Sequence, residues 1–161
     1  MRVQDVIRGE KRALSCSEWG NGKMPRSRFP LSKAGRKAWS YGTAWDWRFA
    51  EFEFAERHFV VRLLVCEDKR KAHMHLGLKT LRDTTVLCSY EYHVDQHTGW
   101  HLHTLCGEMN DIDAAPAGTL VHGPWVKRLP AANSFHRRAS FNGNGYGGLK
   151  PWLWDETMRF F

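Results

Sequence analysis

The chain has 161 residues, the size of a single domain, and its 42% hydrophobic and 25% charged content excludes intrinsic disorder. A chain of this length needs neither a disulfide nor a metal merely to fold. Its net charge of +7 is an N-terminal property: residues 1–40 carry ten Lys/Arg against three acids, whereas residues 41–161 carry fourteen of each.

The opening Met1-Arg-Val-Gln-Asp-Val-Ile-Arg8 lacks the apolar run of a leader, and no later stretch has the length of a membrane span. Cys16, Cys66, Cys88 and Cys106 form no CxxC pair. Together these features predict a cytoplasmic, reducing location, with no membrane partner and with the thiols acting as small buried hydrophobes. Residues 15–43 are rich in Gly, Ser and Pro and read as irregular chain, making 1–43 a basic arm before a globular body at 44–161. Such an arm suits phosphates, with Arg26, Arg28, Lys33, Arg36 and Lys37 as contacts to nucleic acid. An acidic protein partner and a plain solvated surface are the alternatives.

Residues 44–56, AWDWRFAEFEFAE, fit both periodicities, and their Ala and Glu content leans toward helix. From residue 57 the alternation is regular. Phe59, Val61, Leu63 and Val65 make one strand and Met74, Leu76 and Leu78 a second. Val86, Cys88, Tyr90, Tyr92 and Val94 make a third, and Trp100, Leu102, Thr104 and Cys106 a fourth. Short polar turns join them into an antiparallel meander over about 57–106. Residues 107–133 read as loop, 141–148 as a glycine-rich loop and 151–161 as a short closing helix. The expected class is therefore α+β as a single domain, a four-stranded antiparallel meander between a basic irregular N-terminal segment and a loop-rich C-terminal one. A mostly β sandwich or barrel is the alternative.

Six of the nine histidines lie between residues 73 and 103. If the apolar members of each strand face the core, the period of two sends His58, Arg62, His73, His75, Glu91, His93, His101 and His103 to the other face. A three-residue loop His97-Thr98-Gly99 would pair His93 with His103 and Asp95 with His101, and any odd loop keeps His93, His101 and His103 together. Were the face covered by the C-terminal segment, its histidines would be structural partners instead.

Two chemistries suit such a face. In the first, His101 and His103 ligate a divalent metal, with His93 or His75 completing the set. In the second, paired imidazoles cleave a phosphodiester as acid and base while Arg62 or a neighbouring Lys stabilises the developing charge. Glu91 would orient an imidazole in either. The candidate catalytic set is thus His93, His101, His103, Glu91 and Arg62, and the candidate metal ligands are His101, His103 and His93. Arg137 and Arg138, in Phe135-His-Arg-Arg-Ala-Ser-Phe141, are further candidates for phosphate contact.

The run Gly99-Trp-His-Leu-His-Thr-Leu105 resembles the HUH motif of rolling-circle replication initiator endonucleases. That resemblance implies His101 and His103 as metal ligands, with His93 or Glu91 as a third. It also implies a separate tyrosine nucleophile, for which Tyr146, four residues before Lys150, is the later candidate. The same histidines followed by Glu108 and by His122 or His136 resemble the cupin metal motif. The architecture looks like that of metal-independent bacterial ribonucleases and toxins. The expected function is a nucleic-acid-processing endonuclease using its histidine face. The alternatives are a non-catalytic basic binding module, an inhibitor or accessory subunit of a nucleoprotein complex, and a cupin-like small-molecule metalloenzyme.

Overall fold

Extended segments with alternating apolar residues satisfy their backbone groups by pairing, and among the described residues seven strands pair antiparallel in one sheet. The computed structural model describes residues 1–34, 39, 41–93, 99–104, 112–114, 118, 150 and 154, giving the backbone alone at 90, 92, 93, 99–104 and 114. The strands are β1 (Arg12–Cys16), β2 (Gly20–Asn21), β3 (Asp46–Phe54), β4 (Arg57–Cys66), β5 (Lys71–Lys79), β6 (Thr84–His93) and β7 (Gly99–Thr104). Their order is β1-β3-β4-β5-β6-β7, with β2 also on β3. Helix is scarce among the described residues: α1 (Val3–Arg8), single 3-10 turns at Arg26–Arg28 and Ile112–Ala114, and helical backbone at Lys150 and Trp154. The protein is therefore β-rich, and the meander of β4 to β7 is one part of a wider sheet. No described helix is long and apolar enough to cross a membrane.

Residues 46–54 form a strand, where composition leaned toward helix. The reason is that both faces of β3 are covered. Phe49, Ala50, Glu51 and Phe52 are consecutively buried, which a strand between two layers accommodates and a one-sided helix does not. Phe52 stacks on its cross-strand partner Phe59 (centroids 5.2 Å apart). Ala50, Phe52, Phe59, Val61, Leu63 and Leu76 form one core beneath α1, which contributes Val3 and Val6. Met74 is partly buried against it.

The opposite face carries a second core. Phe49, Val60, Leu64 and Val86 of the sheet pack with Met24, Phe29, Leu31 and Trp39. The supposed irregular arm is thus corrected in part: β1 and β2 join the sheet, and Met24, Phe29, Leu31, Trp39, Tyr41 and Trp45 pack over it. Four large apolar side chains among the basic residues drive this, each contributing about 1.5–3 kcal/mol on burial. Asp83 of the β5–β6 turn clasps the layer down. It accepts the Ser32 hydroxyl, the Ser32 N–H (3.1 Å) and the Thr84 N–H (2.9 Å). Burial works to raise the Asp83 carboxyl, but these hydrogen bonds prevail and hold it below the ordinary range.

Two local features change the expected phase. Leu76 pairs with Cys88 but Gly77 with Val86, so Leu87 is an extra residue in β6. The bulge turns Val86 to the Phe29 core rather than the face of Cys88. In the last hairpin His93 pairs with Gly99, Glu91 with His101 and Ser89 with His103. Five residues separate the strands, so the expected His93–His103 pair is not formed. The count is still odd, so His93, His101 and His103 hold register positions on one face. Asp95 lies outside the described residues. Of the cysteines, Cys66 and Cys88 are buried as expected, and burial pushes the Cys88 thiol up to about 12. Cys16 is exposed on the edge strand, against expectation.

Candidate metal centre

Register alone brings the polar face together in two rows across five strands. One row reads Phe49, Arg62, His75, Ser89, His103, and the next reads Trp47, Leu64, His73, Glu91, His101. His73 and Glu91 are direct cross-strand partners, with Nδ1 and a carboxylate oxygen 3.4 Å apart. His73 and His75 are two residues apart on β5, their rings parallel to within 5° and 6.1 Å between centroids. One ligand atom from each of His73, His75 and Glu91 lies within 4.8 Å of the others, and this group could hold a metal ion. Two imidazoles and one carboxylate make a donor set suited to a borderline transition ion.

The group sits under aromatic residues of the covering segment. The Trp45 ring lies 5.5 Å from His73, and Tyr41 lies 5.4 Å from Trp45. The Phe29 ring meets His75 edge-on at 6.4 Å. Phe29 also lies 4.5 Å from the Arg62 guanidinium and over Gly77, where a Cβ would fall 3.2 Å from the ring and 2.4 Å from Thr84 Cγ2. Glycine at 77 is what lets the phenyl come so near the sheet. His75 is buried and His73 and Glu91 half-buried.

Arg62 has 0% exposure. Burial lowers its pKa to about 10, with Tyr41 acting in the other direction, and it stays cationic at neutral pH. Burial likewise raises the Tyr41 hydroxyl, which Arg62 pulls down and Glu91 pushes up. Arg62 is thus enclosed beneath Phe29, and its charge is felt at Tyr41.

At the far end of the same face lies a second polar group. The buried Glu51 carboxylate accepts from Lys79 Nζ at 3.1 Å and Arg28 Nη1 at 3.4 Å, and His58 Nε2 lies 2.8 Å from it. Burial works to raise this carboxyl, but Lys79 and His58 outweigh it and leave it below the ordinary range.

Of the residues singled out in the sequence, the structure brings Glu91 and His75 together and places Arg62 beside them. His93, His101 and His103 are placed by backbone register only. Of the basic contacts, Arg28 is exposed while paired to Glu51, Arg26 lies 5.1 Å over the Trp39 ring, and Lys33 is exposed. Arg36, Lys37, Arg137, Arg138, Glu108, His122, His136 and Tyr146 lie outside the described residues. Sequence reasoning put His73 on the right face without naming it a ligand, and missed Ser89, Tyr41 and Trp45 entirely. The His-x-His spacing at 73–75, identical to that at 101–103, was the available signal.

No family model, curated protein or solved structure matches the chain.

Proposed function

We propose that this chain is a metal-dependent protein that cleaves phosphodiesters in nucleic acid, with its metal held by His73, His75 and Glu91. The observation that carries the reading is the convergence of two imidazoles and a carboxylate within 4.8 Å on one covered sheet face. A transition ion held by these residues would supply Lewis-acid polarisation of a phosphoryl oxygen and a lowered pKa for water. The ligands move from the His93, His101 and His103 set expected of the motif to the neighbouring strand pair. His101, across from Glu91 in register, and His103, across from Ser89, then become candidates for a further ligand and for a general base. The positive charge concentrated in residues 1–40, including the exposed Arg26, Arg28 and Lys33, supports a polyanionic substrate.

The depth of the site favours a second reading. His75 is 6% exposed beneath Phe29, a cover that suits a small molecule better than a polymer. The test is cleavage of labelled single- and double-stranded DNA and RNA by the purified chain, with and without chelator. Metal-dependent cleavage that His75→Ala abolishes supports the nuclease. Metal binding without cleavage of any of the four supports the small-molecule enzyme. A chain that takes up no metal yet retains nucleic acid in a salt-dependent way is the non-catalytic binding module.

A further inference from the structure

The carboxylate of Glu91 does not stand alone. The Ser89 hydroxyl donates to Glu91 Oε1 at 2.7 Å, and the same oxygen lies 3.4 Å from His73 Nδ1. Ser89 is 3% exposed, lies two residues before Glu91 on β6 and is the cross-strand partner of His75 on β5. A buried hydroxyl in this position fixes the rotation of the carboxylate before any ion arrives.

The spacing carries a second implication. Two ligand atoms each about 2.0–2.1 Å from a tetrahedral ion are separated by about 3.3–3.4 Å. The His73–Glu91 separation already has that value and is longer than a good hydrogen bond, which lies at roughly 2.7–3.2 Å. A calcium ion asks for six to eight oxygens and magnesium for an octahedral, largely aqueous shell, neither of which two nitrogens and one hydrogen-bonded carboxylate provide.

We infer that the centre selects a Zn²⁺-class ion over Mg²⁺ and Ca²⁺, and that Ser89 is its positioning residue, holding Glu91 as a one-oxygen ligand. The inference rests on the reading of His73, His75 and Glu91 as a metal site. It adds which ion they take and which residue outside the ligands sets their affinity. Groups that hold a ligand in orientation typically govern metal affinity by about 10–100-fold.

The experiment is calorimetric titration of Zn²⁺, and separately of Mg²⁺ and Ca²⁺, into the metal-free full chain. Wild type is compared with Ser89→Ala and with the isosteric pair Ser89→Thr and Ser89→Val. The expected result is one Zn²⁺ site in wild type and no measurable heat with Mg²⁺ or Ca²⁺. Zn²⁺ affinity should fall about 10–100-fold in Ser89→Ala and Ser89→Val, and Ser89→Thr should restore most of it. Because Thr and Val have the same shape, a difference between them reports the hydroxyl, and a variant that fails to fold leaves the other pair to compare. Equal Zn²⁺ affinity in Ser89→Thr and Ser89→Val overturns the role of Ser89 while leaving the metal site standing. Tighter Mg²⁺ than Zn²⁺ binding overturns the ion class. Absence of any Zn²⁺ heat in wild type removes the metal site itself.

Discussion

Glu51 and Arg62 show how one sheet face tolerates two buried charges of opposite sign. Glu51 is held by Lys79, His58 and Arg28, while Arg62 is set against the Phe29 ring with Tyr41 in its field. Replacing Glu51 by Gln removes the negative charge shared by three cationic or basic groups, puts an NH2 donor in place of one oxygen, and should cost about 1–3 kcal/mol in urea unfolding at pH 7. Because the folded Glu51 carboxyl is depressed, its contribution is present above its unfolded pKa and is lost as the pH falls through the folded value. The gap between wild type and Glu51→Gln should therefore close below the ordinary carboxylate range. A gap that persists undiminished to pH 3 would show that Glu51 acts by packing rather than by charge. Residue types alone could not reveal this group, since its members come from positions 28, 51, 58 and 79.

At the scale of the elements, the β3–β4 hairpin holds an avoidable strain. Phe54 pairs with Arg57, and the two residues between them, Ala55 (φ 49°) and Glu56 (φ 59°), both lie in the left-handed region. Two-residue hairpins with this geometry prefer Asn-Gly, and an L-residue with a Cβ is disfavoured there. Ala55→Asn combined with Glu56→Gly should raise stability by about 1–2 kcal/mol in thermal or urea unfolding, and a loss of stability would contradict the assigned turn. The same hairpin explains why β3 resisted reading. Without a turn signal at 55–56, and with Ala and Glu in the strand, 44–56 carried no boundary to distinguish it from a helix. Strands β4 to β7 were legible because their turns are polar and their alternation is long. What alternation could not give was the extra Leu87, which shifts Val86 to the other face, since a bulge changes phase without changing composition.

At the scale of the whole molecule, described residues of the basic N-terminal region pack on the sheet face that carries the histidines. Their union was hidden because Met24, Phe29, Leu31 and Trp39 are scattered among Gly, Pro and basic residues with no period to betray them. Phe29 is the central contact of that layer, with 0% exposure against Gly77, Arg62 and His75. Phe29→Ala should cost about 3–5 kcal/mol and uncover the imidazoles. A loss under 1 kcal/mol would mean that the segment rests only loosely on the sheet. The histidine face itself was legible by parity, and Glu91 and His75 by their position on it. The convergence of His73 with them was not, because it depends on the cross-strand register that joins residue 73 to residue 91.

Whether His73, His75 and Glu91 bind one transition ion is read directly by X-ray absorption at the zinc edge. With one equivalent of Zn²⁺ on the purified chain, the expected spectrum shows a shell of nitrogen and oxygen only, at about 2.0–2.1 Å, with the multiple scattering of at least two imidazoles. In His73→Ala/His75→Ala that imidazole signature should disappear. A sulfur shell at about 2.3 Å in wild type, or a spectrum that the double substitution leaves unchanged, would contradict it.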